Sequence, residues 1–278
     1  MLRTILLLVL LAVVAGAVGI AWSWWRFNAS IDADIRRLET APHADQPTVT
    51  AAMLAGLPEP ARRYLAYAGV VGRPIPAIVR LKQTGRIRSA PDASWMDLEA
   101  EETYATAPPA FVWRAWLPRR TLPFVVGRDQ YLDGAGSIVM KAAGTFPVAE
   151  DRSDALKAAG LMRYLNEMMW FPAAFLGPNV TIEVADGASF TVTIADRGMS
   201  ATATVFVDAE GRIVNFRAPR FNTATGTVET WETPISAYRD FGGMRLPQRG
   251  TAVWKLPAGD FTYIDLTITD VVYDAPLP

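Results

Sequence analysis

Arg163 and Glu167 are the residues whose types and spacing most clearly suggest chemistry in this chain. They lie one helical turn apart in the segment RYLNEMMWFPAAFL, whose other residues are mostly apolar. At the mouth of a cavity the guanidinium could contact an anionic head group while the carboxylate orients it. The alternative is a salt bridge on a solvated helix face, where an Arg-before-Glu pair stabilises a helix only weakly.

Aromatic residues around this helix favour a site for an apolar ligand. The domain carries many tryptophans, and methionines in the helix could supply an adaptable surface. The same residues could instead fill a large core. The predicted ligand-binding residues are Arg163, Glu167, Trp170, Tyr164, Trp113 and Trp116.

The sequence contains few residues of the types that form catalytic sites. Cysteine is absent, which excludes disulfides, thiolate nucleophiles and Cys-ligated zinc, and the single histidine, His43, is predicted to face solvent. The segment GAGS at 134–137 lacks the Gly-x-Ser-x-Gly frame of a nucleophile elbow. We therefore predict no enzyme, no cofactor and no metal site. A hydrolase with Glu167 as general base is the less favoured alternative.

The charge balance gives no support for nucleic-acid binding. The chain has 27 basic and 28 acidic residues, with a formal net charge of -1. A basic stripe at 80–88 precedes an acidic strand at 95–104, with the turn SAPDAS between them. In an antiparallel hairpin, Arg86 would face Asp97 and Lys82 would face Glu101, so the stripe is predicted to be neutralised by its neighbour.

Residues 4–25 carry no charge and predict a transmembrane helix. As a helix they would reach roughly 33 Å, about the thickness of a bilayer's hydrocarbon core. A cleaved signal peptide is the alternative, because a basic residue, an apolar run and the AGA at 15–17 follow the required order. The residues predicted at the membrane interface, where aromatic rings concentrate, are Trp22, Trp24, Trp25 and Phe27.

Changes in composition and in the spacing of apolar residues divide the chain into three predicted parts. Residues 1–27 are the predicted anchor, residues 28–56 a polar stalk, and residues 57–278 a β-rich globular domain. Short alternating strands with tight turns predict an α+β fold: a curved, mainly antiparallel, half-barrel-like sheet of about ten strands. Two helical blocks, near 50–68 and 153–176, are predicted to cover one face of this sheet.

Several segments together resemble an uncharacterised bacterial family of membrane-anchored domains of unknown function. They are RYLNEMMWFPAAFL, LPEPARRYLAYAGV, QTGRIR, GRIVNFRAPR and GGMRLPQRGTAVWKL. The resemblance covers roughly residues 57–275, and the Arg-Tyr-Leu-x-Glu-x-x-Trp-Phe-Pro-x-Ala helix is its most specific motif. It implies a membrane-tethered domain and brings no catalytic residues. The strand order also resembles the half-barrel of the outer-membrane lipoprotein carrier group.

We therefore predict a non-catalytic module of the cell envelope. Residues 4–25 would anchor it in the lipid bilayer, with the globular domain on the exported side. Its expected ligand is a lipid or another hydrophobic molecule. A module for envelope assembly that binds another protein is the alternative, and the sequence does not separate the two.

Overall fold

The computed structural model describes residues 1–42, 46–117 and 125–274. His43 lies outside these ranges, so its predicted exposure stays a prediction. The α-helices α1–α4 are Leu2–Thr40, Ala51–Ala55, Glu59–Ala68 and Ala155–Glu167. Two short 3-10 helices, Met168–Trp170 and Pro172–Leu176, follow α4 directly.

The described residues form fourteen strands in one antiparallel sheet. Strands β1–β7 are Ile78–Ile87, Met96–Thr106, Pro109–Leu117, Val125–Leu132, Ala135–Ala142, Phe146–Asp151 and Val180–Asp186. Strands β8–β14 are Ser189–Asp196, Met199–Val207, Ile213–Asn222, Thr227–Glu232, Ile235–Phe241, Met244–Leu256 and Gly259–Tyr273. Their order is β6-β5-β4-β3-β2-β1-β14-β13-β11-β10-β9-β8-β7, and β12 pairs with β13. The sheet is the predicted half-barrel.

The predicted count of about ten strands is wrong, because the described residues form fourteen. Two short interruptions explain part of the difference. Between β5 and β6 the chain turns at Gly144, whose φ of 63° suits glycine, and β6 begins two residues later. Strands β11 and β12 are separated before Ile235 by Pro234, which has no N–H to donate to a ladder. An alternating apolar pattern continues across such short interruptions, so periodicity alone joins the strands.

The predicted register of the first hairpin is confirmed. Arg86 pairs with Asp97, Lys82 with Glu101, and Ile87 lies opposite Met96. The ion partner of Arg86 is different, however, since its Nη2 lies 3.2 Å from Asp265 Oδ2 on β14. The neutralising charge therefore comes from the other neighbouring strand, and the Arg86 guanidinium lies 4.7 Å from the centre of a Trp95 ring.

The sequence predicted that the helical blocks cover one face of the sheet, but the helices as a set lie on both faces. Helices α3 and α4 pack on the inner face, where Tyr104, Phe111 and Tyr131 are fully buried in the main core. A second, smaller core lies on the outer face and includes Phe27 and Ile31 of α1. The exception is α1, which the sequence predicted as an anchor that ends at residue 27. The helix instead continues to Thr40 and packs on the outer face of the sheet.

The first half of α1 has a different environment from the second. Helix α1 is the one described helix that is long and apolar enough to cross a membrane, and nearly all its residues before Ser23 are exposed. Its second half is held to the outer face by ion pairs, among them Arg114 with Asp32 at 2.6 Å and Arg128 with Asp34 at 2.9 Å. Residues 28–40 of the predicted stalk are thus helical and attached to the sheet.

Candidate functional site

Helix α4 lies across the inner face of the sheet because its apolar side is nearly continuous. Two glycines let the helix approach the strands closely. A Cβ on Gly136 of β5 would lie 2.0 Å from the Leu156 carbonyl oxygen, and a Cβ on Gly160 would lie 3.0 Å from the Tyr131 ring. Main-chain contact at these points sets the position of Arg163, which follows Gly160 by one turn.

Arg163 lies at the centre of three carboxylates. Its Nε donates to Glu167 Oε1 at 2.8 Å, its Nη1 to Asp129 Oδ2 at 2.6 Å, and its Nη2 to Glu102 Oε1 at 2.9 Å. The side chains of Glu102, Glu167 and Arg163 are 0%, 8% and 13% exposed. The surface salt bridge that the spacing alone suggested is therefore one edge of a mostly buried ionic cluster.

A second layer of hydrogen bonds holds this cluster in place. Gln83 Nε2 donates to Glu102 Oε2 at 3.1 Å, and Trp113 Nε1 donates to Gln83 Oε1 at the same distance. The hydroxyl of Tyr104 donates to Glu167 Oε2 at 3.1 Å. The Arg163 guanidinium also lies 5.1 Å from the centre of a Trp113 ring, within cation–π range. The buried polar side chains named in this cluster thus have partners, as burial demands.

For Glu102 and for Arg163, burial and the opposite charges of the cluster shift the pKa in opposite directions. Burial raises the pKa of the Glu102 carboxyl well above its ordinary value, the Arg163 guanidinium opposes this, and Glu167 adds to it. Burial alone would lower the pKa of Arg163, but Glu102, Glu167 and Asp129 together raise it well above its ordinary value. Arg163 is therefore a permanent cation among three acidic groups.

A cavity of about 170 Å³ lies beside the cluster, between α4 and the inner face of the sheet. An engineered apolar cavity of roughly 150 Å³ is sufficient to bind benzene, so this volume accepts a ring or the end of a chain. Asp129, Arg163 and Glu167 line one side, next to Asn166. The apolar part of the wall includes Ile87, Trp113, Met140, Trp170, Ala252 and Ile264.

Four of the six residues predicted to bind a ligand meet at this cavity: Trp113, Arg163, Glu167 and Trp170. Trp170 is fixed by its Nε1, which donates to the Pro247 carbonyl oxygen at 3.1 Å.

The other two predicted residues lie elsewhere. Tyr164 is 1% exposed and packs in the core, where its hydroxyl donates to the Ala105 carbonyl oxygen. Trp116 follows Trp113 by three positions on β3, so its side chain points to the opposite, outer face, where it packs beside α1 and Arg114.

Sequence reasoning missed Glu102, Asp129 and Gln83. Glu102 was detectable, because it shares the inward parity of Leu98, Ala100 and Tyr104 on β2. A charged residue at an inward position requires a buried partner. No comparable signal identified that partner, because Arg163 is 61 residues away.

The predicted membrane-interface residues also occupy two environments. Trp22 and Trp25 are 60% and 59% exposed, and their ring centres are 5.0 Å apart. Trp24 packs against the small outer core, and Phe27 is buried in it at 6% exposure, with Lys141 Nζ 4.7 Å from its ring centre. Trp22 and Trp25 are therefore the members of this group whose rings are mostly exposed.

No set of three or more His, Asp or Glu side chains in the described ranges is arranged to hold a metal ion. The carboxylates of Glu102, Asp129 and Glu167 do converge, but the Arg163 guanidinium occupies the space between them. The arrangement can order a charged or hydrogen-bonding group next to an apolar cavity.

Comparison with known proteins identifies the family. A family model described as a family of unknown function, DUF6544, matches residues 47–266. The chain belongs to DUF6544. This confirms the family resemblance that the helix motif and its companion segments indicated. The matched region begins after α1 and includes the Arg163 cluster and the cavity. No curated protein matches the chain.

Solved structures resemble this DUF6544 chain distantly. A DUF1329 family protein from Desulfovibrio piger has a TM-score of 0.44 at 9% identity, with 82% of this chain and 94% of that one covered. A LolA superfamily protein from Nitrosomonas europaea has a TM-score of 0.36 at 12% identity, covering 83% and 96%. The lipoprotein LppX from Mycobacterium tuberculosis has a TM-score of 0.22 at 14% identity, covering 82% and 97%. Similarity at this level carries no information on function.

Proposed function

We propose that this protein is a non-catalytic, membrane-anchored module of the cell envelope that binds a hydrophobic ligand. The observation that carries the proposal is the cavity beside α4, whose wall is mostly apolar. Its polar side chains come from the Arg163 cluster and from Asn166, Thr233, Gln248, Arg249 and Thr251. Pockets of this composition bury the apolar part of a ligand and use a few polar groups to orient it. Residues 4–25 hold the module at the bilayer, on the exported side.

The cluster determines which polar group the ligand carries. Each nitrogen of Arg163 donates one N–H group to a different carboxylate, so an anionic head group would have to approach a guanidinium that three acidic side chains already surround. An anion in the cavity would also lie near the carboxylates of Asp129 and Glu167, and like charges repel. The other cation in the wall, Arg249, is already paired with Asp265 at 3.1 Å. We therefore propose a ligand whose polar end is an amine or a hydroxyl, which can donate hydrogen bonds to these carboxylates.

Native mass spectrometry tests the proposal most directly. A variant that lacks residues 1–22 retains Phe27 and Ile31, which seal the outer core, and is purified without detergent. A stoichiometric bound amphiphile, identified after solvent extraction, supports the binding module. A protein that stays unliganded after incubation with total envelope lipids contradicts it and favours a protein partner.

Two matched variants test whether the ligand occupies the cavity. Ala252→Phe places a ring in the cavity wall and should abolish the bound mass. Val184→Phe makes the same kind of change at a position that is 70% exposed on β7, far along the sheet, and should keep it. Equal ligand occupancy in both variants would place the ligand outside the cavity.

A further inference from the structure

The hairpin between β5 and β6, whose turn contacts α1, carries exposed apolar residues. Phe146 and Val148 at the start of β6 are both 58% exposed. The charged residues Glu150 and Asp151 come later on the same strand, about 7–17 Å further from the turn at 3.3 Å per residue. The strand is thus apolar at its tip and acidic away from it.

This hairpin is in direct contact with α1. Ser23 Oγ donates to the Gly144 carbonyl oxygen at 3.3 Å. A Cβ on Gly144 would lie 2.6 Å from the Trp24 ring and 2.9 Å from the Trp24 Cα, so the turn approaches the helix backbone as closely as a glycine allows. The contact sets the turn at the level of residues 23 and 24 along the helix axis.

That level coincides with the exposed tryptophan pair. Trp22 and Trp25 are each within two residues of Ser23, which is about 3 Å along the axis at 1.5 Å per residue. Beyond them the helix extends alone from Ala21 back to Leu2, over about 30 Å, the thickness of a hydrocarbon core. Tryptophan rings concentrate at the boundary of that core, so the hairpin tip lies at the same boundary.

The position of the hairpin relative to the anchor is fixed by the rest of α1. The helix continues without interruption to Thr40, and Ile31 is fully buried between it and the sheet. The ion pair of Arg128 with Asp34 joins β4 to the helix two to three turns after the hairpin contact. The sheet and the membrane-spanning segment therefore share one rigid helix.

We propose that the β5–β6 hairpin is a second membrane contact, with Phe146 and Val148 inserted in the bilayer interface beside the tryptophan pair. The inference rests on the proposed anchoring by residues 4–25. Its occupant is the lipid bilayer, because the apolar tip is continuous with the surface of the apolar helix. Phe146 and Val148 are apolar, so they need only the apolar surroundings that the lipids of the bilayer interface provide.

With the hairpin at the bilayer interface, the end of the sheet that holds the cavity would face the membrane. Helix α4 covers the ends of β4 and β5 near Tyr131 and Gly136, and the cavity lies toward their other ends, as its wall residue Met140 shows. The register aligns Ala142 with Val125, and Val125 with Leu117, at that same edge. A hydrophobic ligand would then pass between the bilayer and the cavity with little exposure to water.

The absence of native cysteine permits a direct test in the full-length protein. Phe146→Cys is labelled with an environment-sensitive fluorophore and the protein is reconstituted in vesicles of phosphatidylethanolamine and phosphatidylglycerol. Emission should shift to the blue, and lipids with a nitroxide near the head group should quench it several-fold more strongly than at the control Val184→Cys. Emission and quenching at position 146 equal to those at position 184 would overturn the proposal.

A third label separates failure of this inference from failure of the anchoring. Val14→Cys lies within the apolar half of α1 and should be quenched by nitroxides placed deep in the acyl chains. Quenching at position 14 with none at position 146 removes the hairpin contact and leaves the anchor intact. If neither position is quenched, both the anchor and the second contact are refuted.

Discussion

The Nη2 atom of Arg163 donates to Oε1 of Glu102 at 2.9 Å, although the two residues are 61 positions apart. The bond connects α4 to β2 across the inner face of the sheet. The Glu102 side chain has no solvent-exposed surface, so Arg163 is the group that makes its burial tolerable. Loss of Arg163 therefore leaves the buried Glu102 carboxyl without its cation, with the hydrogen bond from Gln83 remaining.

Replacing Arg163 with methionine should destabilise the protein strongly. The change removes the cation and leaves the carboxylates of Glu102 and Glu167 facing each other in a mostly buried site. Removal of one partner from a buried ion pair costs about 3–5 kcal/mol of the free energy of unfolding. Urea unfolding of the full-length protein in detergent, followed by tryptophan fluorescence, measures the loss.

Arg212→Met is the matched control, because Arg212 pairs with Asp208 on the surface. Exposed pairs contribute little, so this variant should unfold almost as the parent protein does. If Arg163→Met were as stable as Arg212→Met, the cluster would contribute nothing to the fold.

Glu102→Gln should change how stability depends on pH. The folded protein holds the Glu102 proton more tightly than the unfolded chain, because the pKa is raised well above its ordinary 4.5. Since the folded state binds more protons, this group's contribution to stability falls as pH rises from about 4.5 towards the raised pKa. The glutamine variant lacks this term, so its stability relative to the parent should increase over that interval. Unfolding curves of both proteins at a series of pH values test the sign, and a constant difference would refute it.

Asp129→Asn should weaken any preference for an amine over a carboxylate ligand. Asp129 supplies one of the carboxylates that line the cavity, and charge complementarity determines which head group is accepted. Displacement of a bound fluorescent apolar probe by dodecylamine and by dodecanoate measures the preference. We expect the parent to favour dodecylamine and the variant to discriminate less. A parent protein that favours dodecanoate would contradict the proposed polarity of the ligand.

Ile31→Ala should loosen the second half of α1. Ile31 is fully buried in the outer core, and truncation of such a residue to alanine costs about 2–5 kcal/mol. The loss should appear as faster amide hydrogen exchange in residues 28–40. Ile5→Ala is the control, because Ile5 is 53% exposed on the first half of the helix. Equal exchange rates in the two variants would show that Ile31 does not hold the helix to the sheet.

Local pattern was sufficient for the first hairpin. The alternation of apolar and charged residues on β1 and β2, with a short polar turn between them, predicted the pairing of Arg86 with Asp97 that the structure has. Register follows from local pattern because a shift of one residue would turn every apolar side chain to the wrong face. The ion partner of Arg86 did not follow, since Asp265 arrives from a strand nearly 180 residues away.

Position on a strand face explains the mixed outcome for the candidate site. Trp113 and Trp116 were both predicted to bind a ligand because they are aromatic. They are three positions apart on β3, so their side chains point to opposite faces of the sheet. Only the packing of α4 on one face and of α1 on the other gives Trp113 a cavity and Trp116 a helix to contact. Composition could name both tryptophans and could not separate their surroundings.

The sequence by itself determined the features that depend on neighbours in the chain. These are the apolar run of α1, the antiparallel pairing of adjacent strands and the one-turn spacing of Arg163 and Glu167. The tertiary structure decided which groups meet: Glu102 and Asp129 around Arg163, α1 on the outer face, and Gly144 against Trp24. The physical reason is that periodicity and hydrogen bonding act over a few residues, whereas burial of charge and close packing depend on segments brought together only by folding.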